Sequence, residues 1–228
     1  MSRGPTPTLS GLPDAIPIFP LAGVLLLPGG RLPLNIFEPR YLTMTTDALG
    51  GDRLIGMVQP RAPEKASRAG SVGDGDDVYP IGCAGRIAEF RETPDGRYVI
   101  ALNGICRFRI AGELPLEKGY RRVKAEWAEF AADLDEARAG PDGVEDMLAA
   151  LRSYAAFKDL DFDGAAIRAT APDVLVISLA MLLPFHAGEK QALLECGDAG
   201  ERARLLTQLM TMAAHETDDD YPAPAARH

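Results

Sequence analysis

The stretch IPIFPLAGVLLLPGGRLPLNIFEPRYL, Ile16–Leu42, decides how the rest of the chain is read. Between Asp14 and Arg31 it holds no charged residue. An apolar run so near an N-terminus invites three readings: a signal peptide, a membrane anchor, or the first strands of a folded domain. A signal peptide needs a basic leading segment, an unbroken apolar core and a small-x-small cleavage site. Here Asp14 precedes the run, Pro17, Pro20 and Pro28 interrupt it, and Pro-Gly-Gly-Arg follows. A spanning helix needs roughly 20 apolar residues, and interior prolines break it. Both membrane readings fail on those prolines. Short strands separated by Pro and Gly turns accommodate them, and the spacing predicts strands at Ile16–Phe19, Ala22–Leu27 and Leu32–Ile36. A cytoplasmic location is the expectation that follows.

Working outward, Phe37 to Gly51 reads as a short helix, with Pro39 at its first position, Glu38 at its positive end and Gly50-Gly51 ending it. Tyr41, Leu42, Thr45, Ala48 and Leu49 form its inward stripe. Strand patterns recur at RLIGMVQP, VYPIGCAGRIAEFRE, RYVIALNGICRFRI and GYRRVKAEW. In the third of these, Cys106, Phe108 and Ile110 alternate with Arg107 and Arg109. In the last, Val123, Ala125 and Trp127 share a face. Many short strands with one helix predict a small barrel or closed sheet.

Beyond residue 130 the period changes. Val144, Met147, Leu148, Leu151, Tyr154 and Phe157 make a helical stripe, and TAPDVLVISLAMLL is apolar nearly all round, as a buried central helix would be. Thr170 and Asp173, then Asp198 and Glu201, have capping-box spacing. Four helices joined by short loops predict a bundle. The expected organisation is a flexible arm over 1–12, a β-rich unit over 13–130, a helical unit over 131–215 and an acidic, disordered tail over 216–228.

Charge narrows the function. The net charge is −9 and the sequence pI about 4.9. The tail carries Glu216, Asp218, Asp219 and Asp220 against Arg227, which leaves the body near −6. Phosphate backbones need clustered Lys and Arg, so nucleic acid is disfavoured. The three cysteines, Cys83, Cys106 and Cys196, are far apart and odd in number, which predicts buried thiols rather than disulfides or a zinc knuckle.

Enzyme signatures are sparse: no Gly-Lys of a phosphate loop, no G-x-S-x-G, no H-E-x-x-H. His186 and Glu189 have the spacing of two metal ligands on a helix but lack a third, so a helix-linker histidine is the plainer reading. Asp74, Asp76 and Asp77 match no known calcium loop. Arg107 and Arg109 could grip a carboxylate or phosphate, or lie salt-bridged on an outer face. No metal, cofactor or catalytic residue is expected. What remains is apolar surface. Segment 16–42 carries more of it than its strands and helix need, and its prolines block free strand pairing, which suits an extended or unfolded peptide.

In order and spacing, Pro17, Pro20-Leu21, Pro28-Gly29, Pro33-Leu34 and Arg40 resemble the opening of the Lon protease N-terminal domain, the LON substrate-binding domain family. Gly104, Arg107 and Ile110 fall on that family's G-x-x-R-x-x-I strand, and the resemblance spans roughly residues 13–213. It implies an α+β fold, with a PUA-like β-barrel carrying one short helix, followed by an α-helical bundle. It also implies recognition of unfolded or hydrophobic polypeptides. The family's ATPase and Ser-Lys protease domains have no counterpart here, so no proteolysis is expected. On this reading the peptide-contacting residues are Leu25, Leu27, Phe37, Arg40, Tyr41 and Arg107. A full-length Lon-type protease is the implied partner. A weak homodimer, a nucleic-acid-binding role and an unrecognised enzyme using Arg107, Arg109 or His186 stand as alternatives.

Overall fold

The computed structural model describes residues 8–61, 78–116, 118–135 and 141–214. Among the described residues six strands form one sheet: β1 Ala15–Pro20, β2 Arg31–Ile36, β3 Leu54–Val58, β4 Ile81–Glu92, β5 Tyr98–Glu113 and β6 Arg122–Glu126. Their order is β2-β5-β4-β3-β1-β6, and β6 pairs with β5 as well as with β1. The ladder β5-β4-β3-β1-β6 therefore closes on itself, with β2 added outside β5. Only β1 and β3 run parallel. The long β4 and β5 bend through register shifts at Ala84/Gly85, Ile87/Glu89 and Ile110/Gly112, since an extra residue on one strand kinks the ladder and raises its twist. Pro33 sits on β2, which pairs with β5 alone, so its missing N–H interrupts no central ladder.

The strand expected over Ala22–Leu27 does not form. Residues 21–30 cross the molecule without a ladder, held at single points. Leu21 N–H donates to Val58 O at 3.1 Å, and the buried Gln59 side chain accepts from Gly23 N–H and donates to Val24 O. One amide side chain thus takes the place of a neighbouring strand. Gly23 and Gly29 lie at positive φ, which breaks the extended run at both ends. Leu25, Leu26 and Leu27 are all buried, so the segment fills the core without a ladder.

Helix α1, Pro39–Leu49, begins with Pro39 at its first turn. Its buried stripe is Tyr41, Met44, Thr45 and Ala48, a clean i, i+3, i+4, i+7 set. Leu42 and Leu49, expected inside, are only half-buried. The chain folds tightly already at a 3-10 turn over Leu9–Gly11, with Leu12 buried, inside the arm expected to be flexible. The loop acids Asp74, Asp76 and Asp77, and His215 and His228, lie outside the described residues.

Where the sequence predicts four later helices, the described residues form five: α2 Val144–Phe157, α3 Gly164–Ala169, α4 Pro172–Leu182, α5 Ala187–Glu195 and α6 Ala199–Ala213. The expected Thr170 cap does not form: Thr170 ends α3, its hydroxyl donating to Ala166 O at 2.8 Å, and Ala171 is the N-cap residue of α4, without a side-chain cap. Asp198 does cap α6, accepting from Glu201 N–H at 2.7 Å. Helix α4 is not buried all round: Leu182 is 77% exposed, and Val174 is exposed as well.

One core cluster runs through both halves. Gly30 lets α4 approach the loop after Leu27, because a β-carbon there would overlap Met181 Sδ. Gln191 of α5 donates to Ile81 O of β4 at 3.1 Å. On α2, Tyr154 is fully buried against Phe185, and its hydroxyl has no hydrogen-bond partner among the described residues. A buried unpaired hydroxyl costs about 1–3 kcal/mol. Tyr154→Phe keeps the ring and removes that cost, so its denaturation midpoint should rise, by up to roughly 1 kcal/mol in stability. A midpoint well below that of the parent in a urea titration would show that the hydroxyl is paired.

Candidate functional site

Of the six residues expected to contact a peptide, the structure gives four a packing role. Leu25 and Leu27 are core residues. Tyr41 is buried, its ring centroid 4.1 Å from that of Phe19, and burial raises its hydroxyl pKa above the usual value. Their apolar atoms are already removed from water by the fold, so none remains for a ligand to cover.

Arg107 is the fourth, and it is not on an outer face. Its Nε and Nη2 donate to Asp133 at 2.8 and 2.9 Å, a bidentate pair, while its backbone N–H reaches the same carboxylate at 2.9 Å. Its Nη1 donates to Leu194 O and Cys196 O at 3.2 and 2.7 Å, and the guanidinium lies 4.8 Å from the Phe130 ring centroid. Helix α5 ends at these carbonyls, which have no further turn of the helix to bond to. Arg202 of α6 completes the cap, donating to Leu193 O and Cys196 O. Alternation along β5 puts Arg107 opposite Phe108, yet both are buried. The 3-10 segment Ala128–Leu134 and the end of α5 cover the face that the sequence alone leaves to solvent. Arg109 keeps the salt-bridged reading, bidentate to Glu129 at 2.8 and 2.9 Å.

Phe37 and Arg40 remain at the surface. Phe37, 52% exposed, follows the buried Ile36 at the end of β2. Arg40 lies in the first turn of α1, pairs with Glu38 at 2.8 Å and places its guanidinium 4.6 Å from the Tyr41 ring centroid. Gly119 faces Arg40 Cβ. Arg121, buried and paired with Glu113, lies close enough to act electrostatically on the Tyr41 hydroxyl. An exposed aromatic and a guanidinium lying on a second, buried aromatic thus form an amphipathic corner.

Two turns further along the same face of α1, Asp47 accepts from Lys118 Nζ at 2.9 Å and Tyr120 Oη at 2.8 Å, and these bonds hold its carboxyl below the usual range. They border a cleft of about 320 Å³ with Pro13, Pro17, Arg53 and Arg122. The carboxylate is already saturated by donors, so it is a poor base. A second cleft, of about 380 Å³, opens between α2 and α3. Neither was legible in sequence. The first needs residues 13, 47 and 118 brought together, and the second needs a six-residue helix too short to show a period.

Nucleophilic chemistry has little to build on among the described residues. The three thiols are free and buried as expected, and burial pushes Cys106 up to about 12 and raises Cys83 and Cys196. Neutral thiols are weak nucleophiles. His186 serves as the N-cap of α5, its N–H donating to Glu189 Oε2 at 2.7 Å. No group of three or more His, Cys, Asp or Glu is placed to hold a metal among the described residues, and no described helix is long and apolar enough to cross a membrane.

The family described as ATP-dependent protease La (LON) substrate-binding domain matches residues 15–212. Similar curated proteins include Lon protease 2 of Myxococcus xanthus, 25% identical over 201 residues, covering 87% of this chain and 24% of that protein. Lon protease 2 of Sorangium cellulosum is 26% identical over 202 residues, covering 86% of this chain and 24% of its own length. The chain thus spans about a quarter of these relatives. Among solved structures, a Lon N-terminal domain protein from Xanthomonas campestris superposes with TM-score 0.55 at 23% identity, covering 86% of this chain and 96% of that one. The N-terminal domain of Mycobacterium avium complex Lon protease superposes at 0.57 with 15% identity, covering 86% and 98%.

Proposed function

The chain belongs to the LON substrate-binding domain family, and from that premise we propose that it binds unfolded or apolar polypeptide segments without transforming them, as an adaptor or chaperone-like factor. The observation that carries this reading is the corner formed by the exposed Phe37 and by Arg40, whose guanidinium rests on the buried ring of Tyr41. It holds apolar area and a cationic donor at the surface on a scaffold fixed by β2 and α1, the combination that captures an extended peptide by side chain and carbonyl together. We read the closed strand ladder as the PUA-like barrel of the family's first half. Cooperation with a full-length Lon-type protease is part of the same proposal. The match itself reaches only the substrate-binding domain.

The test is anisotropy of a labelled, permanently denatured protein titrated with the full chain. Binding in the micromolar range is expected, and Phe37→Asp with Arg40→Glu should weaken it about tenfold, roughly 1.4 kcal/mol. Phe37→Asp alone changes an exposed side chain and should leave the melting temperature unchanged, whereas Arg40→Glu also breaks the pair with Glu38 and should lower it slightly. No binding at any concentration reached would overturn the reading.

A further inference from the structure

The cleft beside Asp47 runs against the charge of the chain. It is lined by three bases, Arg53, Lys118 and Arg122, against two acids, Asp47 and Asp52, on a chain of net −9. Asp47 is taken up by Lys118, at 2.9 and 3.0 Å, and by the Tyr120 hydroxyl at 2.8 Å, so that pair is neutral. Asp52 is exposed and forms no ion pair among the described residues. Two guanidiniums against that one carboxylate leave the cleft a single positive charge. Arg53 Nε donates to Ile87 O at 3.3 Å, and its Nη atoms have no partner among the described residues. Arg122 lies close enough to help hold the Asp47 carboxyl low. The backbone at two of these cations is strained. Three described non-glycine residues have positive φ, and Arg53 at 60° and Lys118 at 54° are two of them. Such conformations persist where surrounding bonds over-determine them, and they gather at ligand clamps. Arg53 is fixed on both sides, its N–H donating to Ala48 O at 2.9 Å and its carbonyl accepting from Ile87 N–H at 2.8 Å. It is an anion donor set in place before any ligand arrives.

Charge, size and position say what fits. One positive charge and an open guanidinium suit a single carboxylate, and Pro13 and Pro17 give the cleft an apolar wall. A volume of about 320 Å³ is at the small end for a ligand site. Asp47 lies seven residues after Arg40 on α1, roughly 10 Å along the helix. An extended chain covers that distance in about three residues. Gly119 faces Arg40 Cβ while Lys118 pairs with Asp47, so residues 118–119 run beside α1 from the Phe37–Arg40 corner to the cleft. We propose that the cleft takes the C-terminal carboxylate of a polypeptide whose apolar side chain, three residues before the end, lies on that corner. The carboxylate meets Arg53 and Arg122, and the last side chain lies against the proline wall. The inference rests on the polypeptide-binding reading above and names the class of polypeptide, one with a free, apolar C-terminus.

The test uses two ten-residue peptides of one sequence, labelled at the N-terminus, with Phe fourth from the end and Leu last. One ends in a free carboxylate and the other in an amide, and both are titrated against the full chain. The free acid should bind about tenfold tighter, and the ratio should shrink as salt screens the cleft. Arg53→Gln should bring the ratio to about twofold or less, and Arg53→Lys, which keeps the charge without the fork, should fall between. Arg122→Gln is the second variant, read by the same ratio. Phe37→Asp should weaken both peptides and keep their ratio. Equal affinity of acid and amide overturns the cleft while sparing the general reading, as does a ratio that survives both arginine variants. Two competitors, at equal concentration and ionic strength, separate the sources of the anion. N-acetyl-leucine displacing the acid as well as the unlabelled peptide does would overturn a chain end, and so would stronger displacement by inorganic phosphate. Failure of the parent chain to bind either peptide overturns both readings.

Discussion

Arg107→Ala should lower the stability of the chain by about 3–5 kcal/mol, the cost of removing one partner from a buried, hydrogen-bonded ion pair. Asp133 would keep its charge in a place where its side chain is only 10% exposed, with a single backbone N–H, that of residue 107, left of its Arg107 donors. The carbonyls of Leu194 and Cys196 would lose the donor that closes α5, leaving Arg202 to hold that end. These losses fall where β5 meets the helical half, so the damage should include local opening and not only a lower midpoint. The three buried thiols report it. Cys83 and Cys106 have no exposed surface and Cys196 is 5% exposed, so a thiol reagent should react with the native parent only through opening. In Arg107→Ala, Cys196 should become the first to react. Arg107→Lys keeps the charge but cannot span a bidentate carboxylate and two carbonyls at once, so it should fall between parent and Ala. A urea titration with parallel thiol kinetics measures both. A midpoint near that of the parent, with unchanged thiol protection, would remove Arg107 from the role of linking sheet and helices.

How much of this was legible beforehand varies by residue. The prolines of 16–42 rule out a spanning helix from sequence alone, and β1, β2 and α1 follow within a residue or two of the expected bounds. The strand expected at Ala22–Leu27 was not recoverable. Its β-formers are real, but its partner is the single side chain of Gln59, more than thirty residues downstream. Alternation correctly separates Arg107 from Phe108 but cannot show that Asp133 and the end of α5 cover the second face. The same gap explains the peptide-contact set. The apolar residues of the run fill the core, and Phe37 and Arg40, at the junction of β2 and α1, are the members of the set that keep exposed side chain area. The cleft between α2 and α3 was hidden for another reason. Leu160, Phe162 and Ile167 show no period until α3 places them opposite α2.

Gly104→Ala tests the close approach on which segment 16–42 depends. At Gly104, β5 and the loop after Leu27 exchange two hydrogen bonds, Gly29 N–H to Gly104 O at 2.9 Å and Gly104 N–H to Gly30 O at 2.8 Å. A β-carbon at Gly104 would fall on the Leu27 carbonyl oxygen and lie 2.8 Å from the Leu27 carbonyl carbon. The neighbour is backbone, so no rotamer change can make room. The loop must lift, breaking both hydrogen bonds and partly exposing Leu25–Leu27. Overpacking of this kind costs about 1–3 kcal/mol and more where the neighbour cannot yield, so a loss of about 3 kcal/mol is expected. Gly112→Ala is the internal control. It lies on the same strand with nothing within 4 Å of the new methyl, and its effect should stay within about 0.5 kcal/mol. The lifted loop also carries Gly30, on which α4 packs through Met181. Gly104→Ala should therefore loosen the helical half as well, seen as faster amide exchange in α4 than Gly112→Ala gives. Equal stability of the two variants would show that loop 27–30 yields freely, and that the glycine serves chain flexibility instead of this contact.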